Sequence, residues 1–236
     1  MKKVSEFFRL IDTLPPLVFS LMVLSVVAMN LLANKSIDTG LTWLALDCGI
    51  LFSWLCFLAM DIMTHCYGPK ASTAGSLAAM GINLLMCSGF FVASRIGGVW
   101  GESFVTGSEQ IINTALDNTF GGTWFVLLGS SVAFAVSAVC NNFLNWAIGQ
   151  KRTDNSFGTF ALRSYVSTFI GQFVDNITFA LLVSRTFFGW TMVQCITCAI
   201  TGAVMELIFE VFFSPIGYRI SMGILERRGQ QAPAEA

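Results

Sequence analysis

The sequence predicts an all-α, polytopic membrane protein with six transmembrane helices. Hydrophobic residues make up 55% of the 236 residues and charged residues only 11%, and the mean hydropathy is +0.70. These values lie well outside the range of a soluble domain of this length. The apolar residues are also gathered into six runs, each long enough to cross a hydrocarbon core of about 30 Å as a helix.

The six runs form one transmembrane domain over residues 1–236. After a short polar and basic segment, Pro15 and Pro16 start the first span, because proline is tolerated in the first turn of a helix. The predicted spans cover about 15–33, 41–64, 71–94, 122–148, 159–184 and 190–214. The glycine-rich stretch 95–121 is predicted as the one long outer loop, with room for a short interfacial helix.

Basic residues are distributed unevenly between the two predicted sides of the membrane. The side with both termini has Lys2, Lys3, Arg9, Lys70, Lys151, Arg152, Arg219, Arg227 and Arg228, and the other side has Lys35, Arg95 and Arg185. Because loops rich in lysine and arginine remain in the cytoplasm, both termini are predicted to be cytoplasmic. The expected location is a bacterial inner membrane.

Several functional classes are excluded by composition and motifs. The net charge is −1 and no large basic patch occurs, so no nucleic-acid partner is expected. The phosphate-binding pattern G-x-x-x-x-G-K-[ST] is missing from the sequence, so ATP coupling would require a partner protein. No ring of like charges or filter sequence indicates a channel. We expect no enzyme activity, cofactor or metal, and a homo-oligomer or a coupling partner remains open.

The fifth span is too polar to face lipid. It reads R-S-Y-V-S-T-F-I-G-Q-F-V-D-N-I-T-F from Arg163 to Phe179. In a bilayer, each such polar group costs several kcal/mol unless it is paired. Arg163 and Asp175 would lie roughly 18 Å apart along the helix axis, so they cannot neutralise each other. Each therefore requires partners on other helices or on a ligand.

The remaining charges within the spans group by depth. Asp61, Arg163 and Glu210 all fall roughly 6 Å from the cytoplasmic ends of their helices, which predicts one inner ion network. Glu206 lies one turn deeper on the same helix face as Glu210 and has no obvious cation. It is therefore the best candidate for coupling to protons. His65, at the inner end of the second span, is interpreted as a solvated interface residue.

Motifs along the whole chain resemble the VUT family of queuosine precursor transporters of the YhhQ type. The fifth span has its Ser-Thr, Gly-Gln and Val-Asp pairs, and D-I-M-T-H-C-Y-G, from Asp61 to Gly68, resembles Asp-x-x-Thr-Glu-x-Tyr-Gly. Asn30 and Lys35 match an Asn and a Lys after the first helix, and S-P-I-G-Y resembles a closing Thr-Pro-x-x-Tyr. His65 stands where the family often has Glu, and S-W-L-C-F, from Ser53 to Phe57, replaces Phe-Pro-x-x-Tyr.

The resemblance implies an importer of 7-deazaguanine bases, such as 7-cyano-7-deazaguanine or 7-aminomethyl-7-deazaguanine. The edge of a guanine-like base presents two adjacent donors and a carbonyl, which suit a carboxylate and an amide donor. Asp175, Asn176 and Gln172 offer both kinds of group near mid-membrane, a usual depth for transporter sites. An interhelical polar network that holds the bundle together would use the same residues.

Three further residues complete the predicted site. Asn30 is included through its family motif, and Glu206 through its unpaired charge. Trp54, near the middle of the second span, could stack on a base or serve only in packing.

Two other functions remain as alternatives. Ala74-x-x-x-Ala78 on the third span is similar to the helix by which vitamin-binding membrane subunits dock on an energy-coupling-factor partner, although such spacing is common in membranes. Cys195 and Cys198 could form a thiol redox centre, but both lie deep in the sixth span. Dithiol exchange requires a thiolate at the water interface, so packing is the favoured role for these cysteines.

Overall fold

The computed structural model describes residues 2–41, 43, 46–106, 109–121, 124–152 and 154–231, and nearly all of them are helical. The α-helices are α1 (Lys2–Asp12), α2 (Pro16–Leu32), α3 (Ile50–Tyr67), α4 (Pro69–Ala93), α5 (Gly101–Thr106), α6 (Glu109–Gly121), α7 (Trp124–Lys151), α8 (Phe157–Phe179), α9 (Arg185–Phe188) and α10 (Met192–Gln231). A π-helical segment, Ala180–Ser184, joins α8 to α9. The strands are β1 (Ser36–Ile37) and β2 (Leu46–Asp47).

Within the described residues, five helices are long and apolar enough to cross a membrane. These spans contain α3, α4, α7, α8 and α10. A sixth span is obtained if α1 and α2, which meet at an angle of 107°, are counted together. The predicted fold class, an all-α polytopic membrane protein, is confirmed. Positions 122 and 123, at the start of the fourth predicted span, lie outside the described residues.

The second predicted span begins too early. Residues 41–49 were assigned to a helix, but α3 starts only at Ile50, because the preceding chain forms a short antiparallel hairpin between β1 and β2. The Asp47 carboxylate accepts a hydrogen bond from the N–H of Gly49 (2.7 Å), which turns the chain into α3. A Cβ on Gly49 would lie 2.8 Å from the carbonyl oxygen of Met29, so only glycine permits this approach to α2. Positions 42, 44 and 45 lie outside the described residues.

The sixth helix does not end at residue 214 as predicted. α10 continues through Pro215 to Gln231. Proline has no N–H to donate to the carbonyl of Val211, one turn earlier. The hydroxyl of Ser214 donates to that carbonyl instead (3.2 Å), and Tyr165 on α8 bonds to the same hydroxyl (2.8 Å). A side-chain hydrogen bond from Ser214 therefore replaces the missing backbone hydrogen bond, and the helix continues through Pro215.

The predicted outer loop, 95–121, is largely helical. α5 and α6 are linked through Asn113, whose side-chain oxygen accepts from the N–H of Trp100 (2.8 Å) and from Ser103 (2.9 Å). The indole of Trp100 donates to Asp117 (2.9 Å) and stacks on Phe120. Positions 107 and 108 of this segment lie outside the described residues. The segment predicted to have room for one interfacial helix therefore contains two short helices, α5 and α6, that contact each other.

Helix α8 packs most extensively against α7 and α10, and α3 packs against α2 and α10. This arrangement turns the polar faces of α3, α7, α8 and α10 towards one another. On α4, by contrast, Ala74 is buried, and a Cβ on Gly75 would lie 2.7 Å from Leu14. Ala74, one of the two small residues considered for docking a coupling protein, is thus buried within this chain.

Candidate functional site

A polar cavity of about 70 Å³ opens between α2, β2, α3, α7, α8 and α10. Its polar lining residues are Asp47, Ser53, Ser130, Asp175, Asn176 and Glu206. Three of the six residues predicted to bind substrate, Asp175, Asn176 and Glu206, therefore meet in one place. We call this space the polar cavity.

The polar cavity contains hydrogen-bonding groups that the chain leaves unpaired. Ser137 donates to one carboxylate oxygen of Asp175 (2.8 Å), and among the described residues nothing bonds to the other oxygen. Asn176 Nδ2 and Glu206 Oε2 are buried and have no partner among those residues. A buried polar atom without a partner costs about 1–3 kcal/mol, so these groups are suited to a ligand that would pair them.

A glycine on the opposite helix provides the space for the side chain of Asn176. A Cβ on Gly202 of α10 would lie 2.6 Å from Asn176 Nδ2, so the amide lies directly against the α10 backbone. The π-helical segment begins four residues after Asn176, and Phe179 between them also lines the cavity. Such segments interrupt regular helices frequently at functional sites.

Gln172 lies beside the polar cavity rather than on its wall. It is fully buried, and both its side-chain oxygen and nitrogen lack a partner among the described residues. It precedes Asp175 by three positions and therefore shares its helix face. A small rearrangement would be needed for Gln172 to reach a ligand in the cavity.

Asn30 lies at the edge of a second cavity, of about 370 Å³, formed mainly by apolar residues of α2, α4, α6 and α7. Its amide nitrogen donates to the carbonyl of Val26 (2.8 Å), and its oxygen accepts from Ser130. Ser130 lines the polar cavity, so the Asn30–Ser130 bond lies between the two spaces. We call the second space the apolar cavity.

Trp54 does not line the polar cavity. Its ring stacks between Phe209 (centroid distance 5.9 Å) and Phe213 (4.2 Å) of α10, and its N–H donates to the carbonyl of Leu51 (2.9 Å). Both faces of the ring and its polar atom are thus used inside the protein. Packing, the second of the two roles considered for Trp54, fits these contacts.

Asp47 is a cavity residue that the sequence analysis did not select. Burial raises the pKa of its carboxyl to about 6, partly offset by the hydrogen bond from Gly49. An acidic residue within a predicted span could have indicated a site at Asp47. Because residues 41–49 are predicted as the outer end of a helix, the position of Asp47 at the cavity is not apparent from the sequence.

Further along α3 from the polar cavity, Asp61 forms the centre of a second group of polar residues, which we call the inner cluster. Its carboxylate is fully buried and accepts hydrogen bonds from Asn141 (2.9 Å), Ser164 (2.6 Å) and Thr168 (3.1 Å). The hydroxyl of Ser167 lies 3.3 Å from the carboxylate and shares its one hydrogen with the carbonyl of Ser164 (3.2 Å). These donors come from α7 and α8. An ionised carboxylate with this many donors is stable in a low-dielectric interior without a cation.

Glu210 joins the inner cluster through a single hydroxyl. Its Oε1 bonds to Ser164, the same hydroxyl that bonds to Asp61, while its Oε2 is buried without a partner among the described residues. The two predicted network carboxylates are therefore neighbours, linked by Ser164.

Arg163 is not paired with either carboxylate, which corrects part of the predicted ion network. Its guanidinium donates to the backbone oxygen of Asn145 (3.1 Å), to the side-chain oxygen of Asn145 (2.9 Å) and to His65 Nδ1 (2.8 Å). In the described part of the chain it reaches Asp61 only indirectly, through Asn145 and Ser167. A Cβ on Gly149 would lie 2.5 Å from the guanidinium carbon, so glycine provides the space.

The bond from Arg163 also defines the state of His65. Arginine only donates, so Nδ1 of His65 must accept, and the imidazole is neutral with its proton on Nε2. His65 was expected to be a solvated interface residue, but it is a partly buried acceptor for arginine.

The two cysteines of the redox alternative lie in different surroundings. Cys195 is fully buried, and its thiol donates to the carbonyl of Ala180 (3.7 Å), whereas Cys198 lines the polar cavity. Both thiols are free in the structure. Cys195 thus packs inside the protein, away from water.

Comparison with known proteins gives one family match. The model of the family described as "Putative vitamin uptake transporter" matches residues 47–220, well over half of the chain. The match includes the polar cavity residues of β2, α3, α7, α8 and α10 and the whole inner cluster, but not Asn30 on α2. No curated protein and no solved structure matches the chain.

Proposed function

Because the chain belongs to the vitamin uptake transporter family, we propose that it imports a 7-deazaguanine base, a precursor of queuosine, through the polar cavity. Membership in this family indicates a multi-pass membrane transporter for a small molecule. The observation that supports the narrower proposal is the set of polar groups around the cavity: the Asp175 carboxylate, which accepts from Ser137 through one oxygen, and Nδ2 of Asn176 and Oε2 of Glu206, which have no partner among the described residues.

These groups complement the edges of a guanine-like base. The ring N–H and the exocyclic amine of such a base are two adjacent donors, and a carboxylate accepts such donors well. The neighbouring carbonyl requires a donor, which Asn176 Nδ2 offers. The pyrrole N–H on the opposite edge of a 7-deazaguanine suits an acceptor oxygen of Glu206. An adenine-like base presents an acceptor where guanine has its ring N–H and therefore fits Asp175 poorly.

Binding of a base requires the polar cavity to widen. Ligand sites usually have volumes of about 300 Å³ or more, and the cavity has about 70 Å³ in this conformation. The apolar cavity is wide enough for a planar base and is separated from the polar cavity by the Asn30–Ser130 bond. We propose that the base enters the polar cavity through the apolar cavity.

We propose the orientation of the protein from the distribution of its basic residues. With both termini in the cytoplasm of a bacterium, the inner cluster lies towards the cytoplasm and the apolar cavity towards the outside. This arrangement is the one expected for an importer, with the polar cavity between the two.

Replacement of Asp175 by asparagine tests the proposed binding role. The variant keeps the oxygen that accepts from Ser137 but places an N–H₂ donor opposite the donors of the base. A charge-assisted bond contributes about 1.5–3 kcal/mol, so affinity for a 7-deazaguanine should fall by about tenfold to a hundredfold. Equilibrium binding and thermal unfolding, measured on one purified preparation, separate the two roles considered for Asp175.

The matched control is Asp12→Asn, which changes an exposed carboxylate at the end of α1. It should alter neither affinity nor melting temperature. If Asp175→Asn lowers the melting temperature and leaves affinity unchanged, Asp175 belongs to the scaffold of the bundle and not to the binding site.

A further inference from the structure

We propose that Glu210 holds a transferable proton and that this proton is carried inward together with the substrate. The assignment of the proton is independent of the substrate, whereas its coupling to transport rests on the proposed function.

Ser164 Oγ lies within hydrogen-bonding distance of two carboxyl groups, Asp61 and Glu210. A hydroxyl has a single hydrogen, so it can donate to only one of them. The other contact is a hydrogen bond only if that carboxyl group donates to the oxygen of Ser164, which requires it to be protonated. The inner cluster therefore contains one carboxylic acid and one carboxylate.

The remaining contacts identify which group has the proton. Asp61 accepts from Asn141, Thr168 and Ser164 and also lies 3.3 Å from the hydroxyl of Ser167, and this number of donors stabilises its ionised form. Glu210 has no other partner among the described residues, and its Oε2 is buried and unpaired. A fully buried, ionised carboxylate with a bare oxygen would be very costly. The proton therefore lies on Glu210 Oε1, which donates to Ser164, and Ser164 donates to Asp61.

The surroundings of Glu210 provide no cation to stabilise its ionised form directly. α10 packs against α3, α8 and the π-helical segment, and the last of these has no titratable residue. The titratable and charged groups of these elements are Cys56, Asp61, His65, Cys66 and Tyr67 on α3, Arg163, Tyr165 and Asp175 on α8, and Cys195, Cys198, Glu206, Tyr218, Arg219, Glu226, Arg227 and Arg228 on α10 itself. Of the cations among them, Arg163 is bonded to Asn145 and His65, and the three arginines of α10 are exposed.

Glu206 connects this proton to the polar cavity. It precedes Glu210 by four positions on α10, so the two carboxyl groups share a helix face, and Glu206 lines the cavity. In the proposed cycle Glu210 first releases its proton to the cytoplasm and becomes a carboxylate. Glu206 then takes up a proton from the outer side and passes it to Glu210, so that one proton crosses with each base.

A comparison of two isosteric variants tests where the proton resides. In Glu210→Gln the amide can donate to Ser164 as the protonated acid does, so the melting temperature should stay near that of the wild type. In Asp61→Asn the new N–H₂ group replaces one carboxylate oxygen and faces the two donors near that oxygen, so the melting temperature should fall clearly. If Glu210→Gln is the more damaging variant, the proton is not on Glu210.

Transport by purified protein in lipid vesicles tests the coupling. With the outside one pH unit more acidic and the membrane potential clamped at zero, the wild type should accumulate a 7-deazaguanine up to about tenfold, the limit for one proton per base. Glu210→Gln should exchange labelled for unlabelled base at equal pH but reach an accumulation ratio of one. The control Glu226→Gln, an exposed carboxylate on the same helix, should behave as the wild type.

Two outcomes of the vesicle experiment would contradict the proposals separately. If Glu210→Gln still accumulates base in response to the pH gradient, Glu210 is not the coupling group. If the wild type neither binds nor exchanges the base, the proposed substrate is wrong and the coupling to it fails, while the comparison of Glu210→Gln with Asp61→Asn still decides the position of the proton.

Discussion

The inner cluster and the polar cavity are built by the same helices but differ in how their polar groups are paired. In the inner cluster Asp61 has four donors of α7 and α8 within hydrogen-bonding distance, and Arg163 donates three bonds. In the polar cavity, Asn176 Nδ2 and Glu206 Oε2 have no partner among the described residues. Groups paired within the chain hold helices together, whereas unpaired groups around a space are available to a ligand.

This difference predicts that loss of a side chain from the inner cluster reduces stability most. Arg163→Ala removes the donor from Asn145 and His65, and three bonds from a charged group are lost, so the free energy of unfolding should fall by about 4 kcal/mol. Arg219→Ala, an exposed arginine on α10, is the control and should change little. The measurement is denaturant unfolding in mild detergent.

The same variant tests the corrected partners of Arg163. Because Arg163 bonds to neutral groups, addition of Asp61→Asn should not restore stability to Arg163→Ala. Recovery in the double variant would show instead that the guanidinium and the Asp61 carboxylate form a pair.

Asp47 gives the polar cavity a dependence on pH. Burial raises its pKa from the ordinary 3.8 to about 6, so the folded protein binds this proton more tightly than the unfolded chain does. Its contribution to stability is therefore complete below pH 3.8 and is lost as the pH rises through 6. Between pH 4 and 7 the wild type should lose up to about 3 kcal/mol more than Asp47→Asn in its free energy of unfolding. If the free energies of unfolding of the wild type and of Asp47→Asn change in parallel with pH, the Asp47 carboxyl group is exposed to water.

A smaller effect is expected from Gly202→Ala. The new methyl group would meet Asn176 Nδ2 and displace the amide by a fraction of an ångström, because this end of the side chain is flexible. Affinity for a 7-deazaguanine should fall by about threefold to tenfold, with little change in melting temperature, since the loss is that of one neutral hydrogen bond. The control is Gly223→Ala, where a Cβ meets nothing within 4 Å. Equal affinities of the two variants would exclude a role for Asn176.

The sequence was sufficient to predict the helical class and the meeting of Asp175, Asn176 and Glu206, because hydropathy and depth depend on local residues. It could not show that Arg163 bonds to Asn145, or that the ring of Trp54 stacks on α10. Depth along a helix does not determine rotation about its axis, and partners on another helix are contacts between residues distant in the chain. The turn at Asp47 and Gly49 was missed for a related reason, since its hydrogen bond is hidden within an apolar stretch.

The most direct test of the central claim compares two bases that differ at one edge. Equilibrium binding of 7-deazaguanine and 7-deazaadenine to the wild-type protein should show at least about tenfold tighter binding of the guanine analogue, because only that base places a ring N–H opposite Asp175. Equal affinity for the two bases, or binding of neither, would contradict the assignment of the polar cavity to a 7-deazaguanine.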